Sequence, residues 1–247
     1  MHNYCLMLSF VGTNFHGWQV QPNLRTVQGV LSDALGTLFG EKIKLIGCCR
    51  TDAGVHAKEY IANFKSSKTF PLENLLKALN AVLPEDVGVK KVWFEDLSFN
   101  ARYSVSGKLY VYRVFPSHTR DPFLEPFLWR IPYNLNKEIM KKGAELFLGN
   151  HNFLGFAKLE EEDNPFVELE ECSVEEVDGI IEIRVRARRF LRYMVRRIAG
   201  CLIYLGMGKL TISDIKEFLN GKRCPYTAKA KGLTLEKVFL PKSLTDA

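Results

Sequence analysis

The sequence predicts an α+β fold built as two successive β-α-β-β-α-β halves. Three observations carry the prediction. Period-2 and period-3.6 hydrophobic patterns follow one another in that order from Tyr4 to Phe94. The same order returns between Lys108 and Leu240, without any residue-level repeat. The 247 residues are 47% hydrophobic and 25% charged, which is enough apolar surface for one or two packed cores and excludes a disordered chain.

The elements follow in order. Tyr4 to Phe10 alternates as a strand. Thr26 can cap a helix whose apolar residues Val27, Val30, Leu31, Ala34, Leu35 and Leu38 form one stripe. Ile43–Cys49 and Tyr60–Phe64 read as strands. Pro71 opens a helix through Leu72, Leu75, Leu76, Leu79 and Leu83, and Pro84 stops it. Val87–Phe94 completes the first half. In the second half, Lys108–Phe115 is a strand, and a helix runs from about Lys137 to Leu148 before Gly149. Strands near Cys172–Val177 and Ile180–Arg188 precede a long helix from about Phe190 to Gly206–Gly208. Thr211-Ile-Ser-Asp starts a short extra helix with a capping-box pattern, and Leu233–Leu240 is a final strand. Two ferredoxin- or RRM-like halves around an antiparallel sheet with a central cleft are therefore expected, the first at 1–105 and the second at 106–247, with a short linker near Ser104–Gly107.

Other classes are set aside by pattern. The longest uncharged apolar stretch, Ile198–Met207, is too short to span a bilayer, and no charged leader precedes Tyr4. None of the six cysteines makes a C-x-x-C pair, which suggests free thiols in the cytoplasm. Gly206-Met-Gly208 fits no nucleotide-binding loop, and no G-x-S-x-G is present. His56 with Cys48 and Cys49 matches no zinc spacing, so no metal is expected.

Net charge is +6, and its distribution says more than its size. Ten acidic residues and no basic one lie between Glu160 and Asp178. Seven arginines and no acidic residue lie between Arg184 and Arg197. On the strand, Arg184, Arg186 and Arg188 point one way and Ile181, Ile183, Val185 and Ala187 the other, a basic stripe suited to phosphates or a solvent face paired to the acidic run. In the following helix, Arg192 and Arg196 sit together and Arg197 stands apart. Tyr110 and Tyr112 share a strand face with Lys108, as core aromatics or as a surface on which RNA bases stack. Arg50-Thr-Asp52-Ala-Gly-Val-His-Ala57 is turn chemistry that also places one carboxylate beside one guanidinium.

That last segment resembles the signature of the TruA-type tRNA pseudouridine synthases, and the resemblance extends over nearly the whole chain. Gly17-Trp-Gln-Val-Gln21, Arg25-Thr-Val-Gln28, Lys108-Leu-Tyr-Val-Tyr112, Phe190-Leu-Arg-Tyr-Met-Val-Arg-Arg-Ile-Ala-Gly200 and Lys231-Gly-Leu-Thr-Leu235 follow in the family's order. Phe10-Val11-Gly12 stands where the family commonly has Tyr-Asp-Gly, and Lys229 and Thr234 where it often has proline and tyrosine. The resemblance implies isomerisation of uridine to pseudouridine at positions 38, 39 and 40 of the tRNA anticodon stem-loop, by a homodimer and without cofactor or metal. It implies that Asp52 is the essential aspartate, that Tyr110 packs on the target base, and that Arg50 and Arg196 lie near the aspartate and the flipped base. An Arg196–Asp52 ion pair is expected on this basis. Arg184, Arg186, Arg188 and Arg192 are the candidates for RNA strands. A non-catalytic RNA-binding protein of two RRM-like halves is the alternative from another class, and a nucleoside glycosidase, which would release free uracil, is a third.

Overall fold

The computed structural model describes residues 1–160 and 163–241, so Glu161 and Glu162 of the acidic run lie outside the described residues. The chain divides into two compact units, Met1–Ser106 joined by the chain from Leu235 onward, and Gly107–Thr234. Each is a mixed α+β body with antiparallel strand pairing.

The first unit opens with β1 (His2–Phe10), followed by α1 (Val27–Phe39), β2 (Ile46–Gly47), β3 (His56–Ser66), α2 (Leu72–Val82), β4 (Val87–Glu95) and the single turn α3 (Ala101–Ser104). β1 lies between β3 and β4, antiparallel to both. Alternate residues explain how both faces of β1 are filled. Tyr4 stacks on Phe64 at 5.0 Å and meets Phe39 of α1 edge-on at 5.4 Å. On the other face, the fully buried Asn63 donates to the Asn3 side chain at 2.8 Å and accepts from the Ala101 amide. Asn3 donates in turn to the carbonyls of Asp96 and Phe99. The connector after β4 is thus stapled to the sheet, with its buried polar groups paired.

The ends of α1 and α2 are set by local chemistry. The Thr26 hydroxyl accepts the Gly29 amide, and Gly40 ends α1 in the left-handed region. Pro71 precedes α2, which stops at Leu83 before Pro84.

The second unit contains β5 (Gly107–Pro116), β6 (Trp129–Ile131), α4 (Lys137–Glu145), β7 (Gly149–Asn152), β8 (Phe166–Val177), β9 (Ile180–Ala187), α5 (Met194–Gly206) and α6 (Ile212–Leu219). Its strands run in the order β5-β9-β8-β7, with β6 parallel to the far end of β5. The helices approach closely where side chains are absent. A β-carbon on Gly143 of α4 would stand 2.4 Å from Leu205, and one on Gly206 would stand 2.6 Å from the Met140 sulfur. The predicted capping box forms: Thr211 and Asp214 exchange side-chain and backbone hydrogen bonds at the start of α6.

The chain then enters β10 (Leu233–Phe239), which runs beside β3. This differs from the expectation that the closing strand belongs with the second half. From Leu235 it is held in the first unit: Glu236 pairs with Lys58 of β3, and the Phe239 carbonyl accepts from the Ser106 amide at 2.8 Å. Also different is β2, which is two residues long where a strand over Ile43–Cys49 was predicted. The long helix starts at Met194 rather than near Phe190, because Tyr193 takes a positive φ of 66°.

Candidate functional site

In the first unit, the segment from Arg50 to Val55 is a loop between two short anchors. Behind it, the Cys48 amide donates to the Ile61 carbonyl at 2.9 Å, and the Tyr60 hydroxyl donates to the Cys49 carbonyl. Ahead of it, the His56 ring, 3% exposed, accepts the Gly12 amide on Nδ1 at 3.0 Å. His56 is therefore a neutral-type acceptor that ties the loop to the turn after β1.

Two further bonds hold the loop from the side. The Trp18 amide donates to the Thr51 carbonyl at 3.2 Å, and the Gly54 amide to the Phe15 carbonyl at 3.2 Å. The close approach requires glycine twice. A β-carbon on Gly17, where φ is +82°, would lie 2.3 Å from the Thr51 oxygen, and one on Gly12 would lie 1.9 Å from the Val55 oxygen. Gly47 plays a similar part beneath the Trp18–Tyr60 stack, whose rings are 4.2 Å apart.

On this frame Asp52 is partly buried and Arg50 exposed. The Asp52 carbonyl accepts the Val55 amide at 3.2 Å, closing the turn that Gly54 permits with φ of +80°. The Thr51 hydroxyl is buried and has no hydrogen-bond partner among the described residues. The result is an aspartate whose flanking backbone is held by the turn after β1, the turn before α1 and β3.

In the second unit, Tyr110 lies on β5 opposite Val185 of β9. It is 5% exposed, with the Phe190 ring perpendicular to its own at 5.1 Å. Tyr112 is on the same face and fully buried. Its hydroxyl donates to the Lys229 carbonyl at 2.9 Å, and burial pushes its pKa well above the usual phenol value, against the nearby charge of Arg196. Lys108, also on this face, donates from Nζ to the Arg188 carbonyl at 3.2 Å.

The register of β5 and β9 puts Arg184 and Arg186 on the face opposite Tyr110, beside Val111 and Leu109. On that face both guanidiniums lie beside carboxylates of the acidic strands. Arg184 Nε is 3.1 Å from Glu171 and Nη1 3.7 Å from Glu182, and Arg186 Nε is 2.8 Å from Glu170. Antiparallel pairing forces this, because β8 places Glu171 opposite Arg186 and Ser173 opposite Arg184. Arg188 falls after the end of β9 and is exposed.

Arg196 and Ala228 are bonded twice. Its Nε donates to the Ala228 carbonyl at 2.9 Å, while its own carbonyl accepts the Ala228 amide at 2.9 Å. Arg192 is exposed, and Arg197 is buried, donating from Nη1 to the Ala157 carbonyl at 2.8 Å. Sequence reasoning passed over Tyr193, whose ring gathers these three arginines, and over Thr51. Nothing in composition signals a positive φ at tyrosine, whereas the aromatic inside an arginine run was visible.

Among the described residues, no group of three or more His, Cys, Asp or Glu side chains is placed to hold a metal ion. No helix among them is long and apolar enough to cross a membrane.

Comparison with known proteins gives this arrangement its class. The family described as tRNA pseudouridine synthase matches residues 6–104 and 144–241, which include the Asp52 loop and the α5 arginines. Relatives named tRNA pseudouridine synthase A follow. That of Aquifex aeolicus (strain VF5) is 53% identical over 241 residues, covering 97% of this chain and 100% of the relative. That of Hydrogenobaculum sp. (strain Y04AAS1) is 39% identical over 248 residues, and that of Thermoanaerobacter sp. (strain X514) 38% over 243, each again covering 97% of this chain and 100% of the relative. The chain belongs to the tRNA pseudouridine synthase family.

Proposed function

We propose that this chain isomerises uridine to pseudouridine in tRNA, with Asp52 as the catalytic carboxylate. The observation that carries the reading is the Asp52 loop itself, a partly buried carboxylate fixed through Trp18, Phe15, His56 and Tyr60 in a chain of this family. The reaction breaks the C1′–N1 bond and joins C1′ to C5 of the same uracil. C5 loses a proton and N1 gains one, so atoms and electrons balance with no oxidant or reductant. A carboxylate serves this as a nucleophile on the sugar or base, or as the base that removes a ribose proton.

A stacked uridine must first leave its helix, at a cost of a few kcal/mol that stacking and arginine contacts offset. Tyr110, Arg50 and Arg196 are assigned to that nucleotide, Tyr110 through its ring and the arginines through charge, with Arg196 as the ion-pair partner of Asp52. The target positions are 38, 39 and 40 of the anticodon stem-loop, and the working form is a homodimer. A reducing cytosol is the assigned compartment, supported by six free cysteines.

The test is Asp52→Asn with an unmodified tRNA transcript tritiated at uridine C5. Binding within a few-fold of the unaltered protein and loss of tritium release are expected. Retained release would remove Asp52 from the chemistry, and release of free uracil would mark a glycosidase instead.

A further inference from the structure

The single turn α3 (Ala101–Ser104) is too short to persist by helix propensity. Side-chain bonds hold it in place. The Ala101 amide donates to the Asn63 side-chain oxygen at 2.8 Å, and the Asn63 side chain donates to the Phe99 carbonyl at 3.3 Å. Asn100 closes the turn from its start. Its side-chain oxygen accepts the Arg102 amide at 3.0 Å, and its carbonyl accepts the Tyr103 and Ser104 amides at 3.0 and 2.8 Å. Its own amide donates to the Ser104 hydroxyl at 3.0 Å.

The side chains displayed on this turn are Arg102 and Tyr103. Tyr103 is 72% exposed, the most of the nine tyrosines. Exposure alone is ordinary for a single aromatic residue. Here it comes with a cation, because the Arg102 guanidinium carbon lies 5.9 Å from the Tyr103 ring centroid. Among the described residues that ring is the guanidinium's one contact, and no carboxylate neutralises it. A fixed turn thus presents an open aromatic ring beside an unneutralised positive charge. A ring that stacks on a base and a cation that takes a phosphate are the two elements of single-strand recognition.

The place of the turn points the same way. Asn63, which holds α3, lies on β3 opposite Ile46 of β2. Six residues of chain lead from Ile46 to Asp52, a span of ~22 Å at most. The turn therefore stands on the two strands that flank the Asp52 loop. An RNA strand engaged at Asp52 needs only a short further run to reach it.

We infer that Arg102 and Tyr103 form a binding subsite for the RNA strand, Tyr103 stacking on an unpaired base and Arg102 taking a neighbouring phosphate. The inference rests on the reading of an RNA substrate given above and adds a contact on the first unit outside the Asp52 loop.

The experiment compares Tyr103→Ala, Tyr103→Phe and Arg102→Ala in the full chain. Affinity for an unmodified tRNA transcript is measured across a salt series, with melting temperature and sedimentation of the free protein. Both side chains are exposed, so the melting temperatures should stay close to that of the unaltered protein. Tyr103→Ala should bind about tenfold more weakly with an unchanged salt slope, because stacking releases no counterions. Tyr103→Phe keeps the ring and should keep the affinity. Arg102→Ala should weaken binding and reduce the salt slope by about one. Unaltered affinity in Tyr103→Ala overturns the inference, as does an unchanged slope in Arg102→Ala. A Tyr103→Phe variant as weak as Tyr103→Ala overturns it too. So does a loss of affinity that tracks a lower melting temperature or an altered sedimentation, the latter marking a second copy of the chain as the occupant. The two readings fail separately. A protein that binds transcript through Tyr103 but forms no pseudouridine keeps the subsite and loses the activity. An active protein indifferent to Tyr103→Ala does the reverse.

Discussion

The Thr51 carbonyl occupies the space that a β-carbon on Gly17 would need, the two lying 2.3 Å apart, and Asp52 is the next residue. The turn before α1 and the loop that carries the carboxylate are therefore in backbone contact. Gly17→Ala brings both a steric clash and a positive φ, a combined cost of at least ~1–3 kcal/mol. The expected outcome is a melting temperature several degrees lower and tritium release reduced by at least tenfold, with the loss of turnover persisting at temperatures where circular dichroism shows the variant folded. Normal turnover in the folded variant would mean that the Asp52 loop is positioned from elsewhere.

Arg184 belongs to the sheet's own charge balance. Its partners Glu171 and Glu182 are each partly shielded, and Glu182 keeps Arg113 at 2.8 Å when Arg184 is removed. Arg184→Ala should cost ~1 kcal/mol or less in a urea melt and leave the salt dependence of tRNA binding unchanged. Arg192→Ala should do the opposite, preserving the melt and flattening the salt slope. Equal slopes for the two variants would return Arg184 to the RNA-binding surface.

Alkaline conditions should destabilise the fold through groups that are buried neutral. Burial, then the neighbouring Glu171 charge, pushes the Cys172 thiol from 9.0 up to about 12, and burial raises Cys5 and Tyr112 as well. In each case the unfolded chain loses its proton at a lower pH than the folded one. The contribution of these groups is thus fully present below about pH 8 and falls as pH rises towards the folded values, at up to ~1.4 kcal/mol per pH unit per group. Urea melts between about pH 8 and pH 10.5 should show this decline, and Cys172→Val should make it shallower. A slope unaffected by that substitution would assign the decline to other groups.

Much of the fold could be read from periodicity because hydrophobic burial repeats with the element. β9 alternates buried and part-exposed residues from Ile180 to Ala187, and the Thr26 and Thr211 caps formed as their residue types require. What escaped was set by long-range geometry. β7 is four polar or glycine residues, Gly149–Asn152, with no apolar face to announce a strand. β2 pairs with β3 only at Ile46 and Gly47, where Gly47 passes against Trp18 and Tyr60, and apolar residue type at Ile43 and Leu45 does not reveal that limit. At the candidate site, Asp52, Arg50 and Tyr110 stood out by motif. The pairing of Arg184 and Arg186 depended on the register between β8 and β9, which alternation alone does not fix.

Because the chain comes back to the first unit at Leu235, the second unit is an excursion nested inside the first. During translation the segment Gly107–Thr234 is finished before the strand at Leu235–Phe239 exists. The inner body can consequently mature on the ribosome while the body bearing Asp52 waits with the stretch of the β3 edge beyond β2 unfilled. A stalled or shortened product would expose that part of the edge to neighbouring chains.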